Sequence, residues 1–180
     1  MLRSIPAIVA AIQLSQPSVK TEDAERYATA LQEQAKIHDF DPFTGVAVIF
    51  HESSFNPRAI SRDGEDYGLA QIRARFIGNC KHTPAPLTNP TPECIATKQR
   101  LLIPEENIRV MAELITRHRT FCKKKVGTTK FARWLASYQG RNNIRQKRYC
   151  KPGPGTYKII EYRRHLIRQL YKKGLIKTLA

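Results

Sequence analysis

Acidic side chains all but vanish from the second half of this chain: after Glu113 the only one is Glu161, while Lys and Arg recur to the end. The formal net charge of +16 is therefore uneven, and such a field draws in a polyanion or an anionic surface, with strong salt dependence. No apolar run is long enough to cross a bilayer. There is no CxxC pair, so a metal site is not expected, although His82 stands close to Cys80. Zinc-finger spacing, a GxxG clamp and an aromatic-rich RNP-like strand are all missing, which removes the common nucleic-acid modules. Internal repeats, low-complexity tracts and clear linkers are absent too, and 180 residues fit one domain with a single apolar core.

Cysteine is sparse but even in number: Cys80, Cys94, Cys122 and Cys150. Wide spacing without metal-ligand pattern reads as two disulfides, for which three connectivities exist. Cys80 with Cys94 and Cys122 with Cys150 is the preferred pairing. The first bridge would staple a Pro- and Thr-rich loop, Lys81 to Glu93, that lacks a hydrophobic anchor. Each would contribute about 2–4 kcal/mol. Reduced, buried thiols are the alternative in a cytosolic protein. Residues 1–20 have two readings. Met1-Leu2-Arg3 before the apolar Ile5 to Leu14 has the outline of a short signal peptide, but Pro6 and Gln13 interrupt it and no clean cleavage site follows; a helical extension packed on the core is the other. The main domain is then 21–180.

Helical spacing dominates that domain. Thr21 is placed to cap a helix carrying Ala24, Tyr27, Ala28, Leu31 and Ala35 on one face. Asp41-Pro42 opens a second, to about Ser53. Gly68 to Phe76 is expected as a short helix. Pro104-Glu105-Glu106 starts a long one, acidic first and basic at Arg117 to Arg119, with Ile108, Met111, Ala112, Ile115 and His118 on roughly one face. His118 reads as a helix-end cation. Phe131, Trp134, Leu135 and Tyr138 form a further stripe from about Thr128, and Tyr157, Ile160, Arg164, Ile167 and Tyr171 mark the last. The run Val46-Ala47-Val48-Ile49-Phe50 fits a buried strand as well as a helix. The basic runs Lys123-Lys124-Lys125 and Arg145 to Arg148 each read, taken singly, as solvated faces.

The chemistry concentrates in His51-Glu52-Ser53-Ser54-Phe55-Asn56-Pro57. One carboxylate ends an apolar run just before a Pro-marked turn. A carboxyl group kept from water and set at the negative end of a helix dipole holds its proton to higher pH, as a general acid requires. Farther on come Gly68-Leu69-Ala70-Gln71-Ile72 and Ala136-Ser137-Tyr138-Gln139-Gly140. In that order the three blocks resemble the soluble-type lytic transglycosylases, relatives of goose-type lysozymes, whose pattern is Glu-Ser, then Gly-Leu-Met-Gln, then Tyr-Asn-Ala-Gly. The resemblance spans roughly Phe43 to Arg164. It departs in three places: Ala70 stands for the usual Met, Gln139 for Asn, and Gly155-Thr156-Tyr157 keeps a Tyr without the acid that normally precedes it.

What the resemblance implies is a mainly α, single lysozyme-like domain, with a substrate cleft between a helical core and the loops Asn56 to Tyr67 and Arg141 to Gly155; it also tips Val46 to Phe50 toward helix. It implies cleavage of the β-1,4 bond between N-acetylmuramic acid and N-acetylglucosamine with a 1,6-anhydro product, Glu52 acting as acid and then base. Ser53, Ser54, Gln71, Tyr138, Gln139 and Tyr157 are the substrate-binding candidates. Gly68 and Gly140 are expected to serve turns or close sugar approach. Expected partners are peptidoglycan glycan strands and, for the excess charge, anionic wall polymers, rather than nucleic acid. No cofactor is expected, a monomer is, and the location is periplasmic or secreted. Two rivals stay open. A hydrolytic muramidase would use an acid of the loop Asp63, Glu65, Asp66 as general base, although this acidic triplet reads more simply as a solvated turn, with Asp63-Gly64 its turn signal. A non-catalytic wall or nucleic-acid binding module would keep only the scaffold.

Overall fold

A computed structural model describes residues 3–82 and 89–178, the side chain of His82 excepted. Part of the Pro- and Thr-rich loop, at 83–88, lies outside the described residues. The described chain is mainly helical: α1 (Ile5–Ser15), α2 (Thr21–His38), α3 (Pro42–Ser53), α4 (Pro92–Arg100), α5 (Pro104–Val126), α6 (Phe131–Tyr138) and α7 (Pro154–Lys172). Between α3 and α4 lie one small antiparallel hairpin, β1 (Asp66–Tyr67) and β2 (Ile72–Arg73), and two 3₁₀ turns. Among the described residues no helix is long and apolar enough to cross a membrane.

The ambiguous apolar run settles as helix because α3 is the central rod of the core. From Pro42 to Ile49 every residue is buried, so the helix is apolar all round, as a helix packed on several sides must be. The Asp41 carboxylate caps it by accepting from the Phe43 N–H at 3.0 Å, with Pro42 in the first turn. α1, α2 and α7 pack around it. Gly45 lets α2 approach: a Cβ there would lie 2.5 Å from Leu31 Cδ2. α1 contributes Ile8 and Ile12, both wholly buried, to the same core.

The backbone reverses sharply just past Glu52. Ser54 and Phe55 both take left-handed conformations, φ 51° and 62°, which side chains larger than glycine adopt at a cost of order 1 kcal/mol each. Phe55 offsets that cost by burial, stacking against Tyr27 with ring centroids 6.4 Å apart.

Several local expectations need correction. Thr21 is not the cap of α2: Lys20 holds that position, and the Thr21 hydroxyl instead accepts from Gln13 Nε2 at 3.4 Å, tying α2 to α1. Gly68 to Phe76 is not a helix. Gly68 and Gln71 sit at φ 73° and 45° and turn the chain between β1 and β2, which a right-handed helix cannot accommodate. The last stripe is rotated: Ile160 and Ile167 are buried, but Tyr157 and Tyr171 face solvent, and Thr156, Ile159, Leu166 and Leu170 complete the buried face.

Both expected disulfides are present, Cys80–Cys94 and Cys122–Cys150. The second joins the carboxyl end of α5 to the loop that follows α6.

One side chain fixes the hairpin to the helical core. Asn107, wholly buried in the first turn of α5, accepts from the Ala70 N–H at 2.7 Å and donates to the carbonyls of Tyr67 and Leu101 at 2.8 and 2.7 Å. It thereby bonds three backbone groups of two separate segments at once. The fit is tight, for a Cβ at Gly68 would lie 2.4 Å from Asn107 Nδ2 and 2.2 Å from the Leu101 carbonyl oxygen.

Candidate active site

The hairpin forms one wall of a cleft of about 970 Å³, the middle of α5 and the end of α6 form the other, and Glu52 on the last turn of α3 lies between them. Its carboxyl group is pushed up to about 7, first by burial and then by the charge of Asp66. Arg58, the nearest cation in sequence, is exposed and is not ion-paired with Glu52 among the described residues. No guanidinium therefore counteracts the desolvation that keeps the proton on.

Asp66, on β1, lines the same cleft. Burial raises its carboxyl above the ordinary range against the opposing pull of Arg73, whose Nη1 lies 3.6 Å away. The expectation of a solvated turn holds for Asp63, which is exposed, and fails for Glu65. Glu65 is buried and binds two guanidinium groups, Arg73 through Nε at 2.8 Å and Arg75. Arg73 also reaches Asp63 at 2.9 Å. These acids and arginines knit the hairpin together, since a buried carboxylate is tolerated only when paired and hydrogen-bonded. Of the three, only Asp66 faces the cleft.

Tyr138 closes the space across from the hairpin. Its hydroxyl donates to the Ala70 carbonyl at 3.4 Å, and burial together with the Glu52 charge moves its ionisation well above the usual phenol range. It remains a protonated donor at any physiological pH. His118 stands edge-on to the Tyr138 ring at 5.9 Å, with Nδ1 2.8 Å from Ser137 Oγ. Asn142 Nδ2 donates to the same hydroxyl oxygen at 2.9 Å. Burial and the neighbouring Arg117 lower His118 to about 4, so the imidazole is neutral and belongs to the cleft wall, not a helix-end cation. Its place on the face with Met111, Ala112 and Ile115 was the available signal: that face is buried.

The remaining candidates divide. Gln71 and Gln139 line the cleft. Gln71 Nε2 donates to the carbonyls of Ala59 and Gly68 at 3.1 and 3.0 Å, holding the hairpin turn to the preceding loop. Gln139 Oε1 accepts from Thr156 Oγ1 at 2.8 Å, tying the end of α6 to the first turn of α7. Gly140 follows at φ 73°, where the chain turns away. Ser53, Ser54 and Tyr157 are not brought to the cleft. The two serine hydroxyls fold back onto the carbonyls of Ile49 and Phe50, both at 3.4 Å, and Tyr157 is exposed on α7. Asn107, on which the hairpin wall depends, went unnoticed in the sequence.

A partly dry cleft with one uncompensated carboxyl group near 7, a second carboxylate within electrostatic reach and a phenol donor opposite suits protonation of a leaving oxygen. The protein family described as "Transglycosylase SLT domain" matches residues 29–159. That stretch contains Glu52, the hairpin, Asn107, His118 and Tyr138. No curated protein and no solved structure matches the chain.

Proposed function

Because the chain belongs to the transglycosylase SLT domain family, whose activity is of the lytic transglycosylase type on peptidoglycan, we propose that it cleaves the glycan strand between N-acetylmuramic acid and N-acetylglucosamine with Glu52 as the only acid and base. In the first step the Glu52 carboxyl donates its proton to the bridging oxygen as the C1–O bond breaks, and the acetamido oxygen of the muramic residue supports the electron-poor C1. In the second, the Glu52 carboxylate takes the proton of the muramic 6-hydroxyl while that oxygen bonds to C1. The proton returns to Glu52, no water is consumed, and the product is a 1,6-anhydro sugar.

The observation that carries this reading is the Glu52 carboxyl near 7 in a cleft, without an ion pair among the described residues. An acid whose pKa lies close to the working pH is present in both forms and serves both steps. Tyr138 supplies a fixed donor and a wall for the sugar, while Gln71 and Gln139 act through the loops they hold. The two disulfides are compatible with a location outside the cytoplasm.

Mass spectra of the sugars released from purified peptidoglycan test the proposal. Muropeptides ending in anhydromuramic acid, one water lighter than hydrolysis products, are expected. Asp66 favours a second reading, for a carboxylate in the same cleft could hold a water as general base. Reducing ends would establish that hydrolytic course. No release at all would leave a binding module.

A further inference from the structure

Two runs of cations that are separate in the sequence are brought close together in the folded chain. The Cys122–Cys150 disulfide, Cα atoms 6.0 Å apart, sets the end of α5 against the loop after α6. Lys123, Lys124 and Lys125 lie beside the first cysteine, and Arg145, Lys147, Arg148 and Lys151 beside the second, all seven exposed. The loop is ordered by its own bonds. Asn143 and Arg148 exchange backbone hydrogen bonds of 2.7 and 3.0 Å, and the Cys150 N–H donates to Asn142 Oδ1 at 3.0 Å. Tyr149 packs edge-on to Phe121 and carries Lys125 Nζ 5.2 Å from its ring centre. The loop backbone and Lys125 are thus held in place before any partner arrives.

The local sequence supplies no acid to neutralise them, although Lys123 lines a pocket with Asp39 and Asp41. No acid occurs between Glu113 and Glu161. The ion pairs that the basic half does form, Arg119 with Asp39 and Arg163 with Asp41, use other residues, and none of the seven is ion-paired among the described residues. Exposed cations on an open surface bind single anions weakly, since each contact is screened. Several held together bind a chain of anions, because the contacts add.

The loop that carries the second run also reaches the cleft. Arg141 and Asn142 line the cleft, and the cationic loop begins at the next residue. The second run of cations thus follows the cleft edge along the chain, and the Cys122–Cys150 disulfide brings the end of α5 to it. We propose that the two runs form a second wall-contact surface, binding the carboxylates of the peptide stems on the glycan strand whose sugars occupy the cleft. The inference rests on the proposed function above for its substrate, but it concerns retention on the wall and not bond cleavage.

The test uses the inactive Glu52→Gln protein, so that binding is read without digestion, in sedimentation with insoluble peptidoglycan over a range of salt concentrations. Adding Lys123→Gln, Lys124→Gln, Arg145→Gln, Arg148→Gln and Lys151→Gln to it should weaken binding by about tenfold or more at low salt and flatten the salt dependence. Peptidoglycan whose stem carboxylates have been converted to amides should bind the parent protein as weakly, while peptidoglycan stripped of phosphodiester polymers should bind it unchanged. The five substitutions in an otherwise wild-type chain should leave the thermal midpoint, and cleavage of a short stem-free glycan, unaltered. Full binding by the five-site variant or to amidated peptidoglycan would overturn the proposal. So would loss of binding on phosphodiester stripping, or duplex DNA capturing the protein more tightly than peptidoglycan, since either assigns the face to phosphate polymers. Failure of cleavage by the wild type with the binding pattern intact would instead count against the proposed function alone.

Discussion

Glu52→Gln should abolish the release of soluble muropeptides and, in the same protein, raise stability above neutral pH. The first effect follows from removing the proton that the leaving oxygen needs; general acid and base catalysis commonly supply about 10²–10⁴-fold of rate, and here one group supplies both. The second follows from linkage. A carboxyl group raised from 4.5 to about 7 on folding binds its proton more tightly in the native state than in the unfolded one. Below 4.5 both states are protonated and the group is neutral in its effect. Between 4.5 and 7 the unfolded state ionises while the native state does not, so stability drains away, and above 7 the full deficit stands at roughly 3 kcal/mol. Glutamine mimics the protonated carboxyl at every pH. Urea unfolding should therefore find the variant and wild type alike at pH 4 and the variant more stable at pH 8. Undiminished release would refute the catalytic role, and equal stability at both pH values would refute the burial argument.

Asn107→Ala should be the most damaging change outside the cleft itself. It strips a partner from the Ala70 N–H and from the Tyr67 and Leu101 carbonyls at once, and each buried polar group left alone costs about 1–3 kcal/mol. Water entering the space recovers part of that, so a loss of about 3–5 kcal/mol is expected in urea unfolding. The hairpin should also loosen against α5, taking Asp66 and Gln71 out of register with Glu52, so that release falls even where the variant remains folded. A loss below 1 kcal/mol with normal release would mean that the hairpin is held by its ion pairs and not by this amide.

The contrast between Glu52 and Asn107 shows what could be read in advance. Glu52 is legible because its environment is local: an apolar run precedes it, a Pro-marked turn follows, and burial plus helix polarity depend on neighbours within a few positions. The helices marked by Pro42 and Pro104 are legible for the same reason, and the cysteine pairing followed from a loop that needed a staple. Asn107 and His118 depend on distant partners. Asn107 serves groups 37 and 40 residues away, and His118 meets Ser137 and Tyr138 only because α6 folds back on α5. Each carried a faint signal, a polar side chain on an otherwise apolar helical face, but that pattern does not say what it binds. The Gly68 to Phe76 segment misled for another reason: left-handed geometry at Gln71, a residue without glycine's freedom, is imposed by Asn107 and by the side chain's own bonds to Ala59 and Gly68. Ser53 and Ser54 misled because a hydroxyl beside a catalytic candidate looks available, whereas near a helix end it commonly folds back onto a carbonyl of the preceding turn.

The central claim is that the Glu52 carboxyl retains its proton to near neutral pH inside the cleft. Titrating the side-chain carboxyl carbons by carbon-13 NMR in the folded wild type, with Glu52→Gln to identify the signal, measures this directly. A single glutamate resonance titrating at about 7 and missing from the variant is the predicted result. A Glu52 resonance moving near 4.5, together with those of the exposed glutamates, would contradict the account.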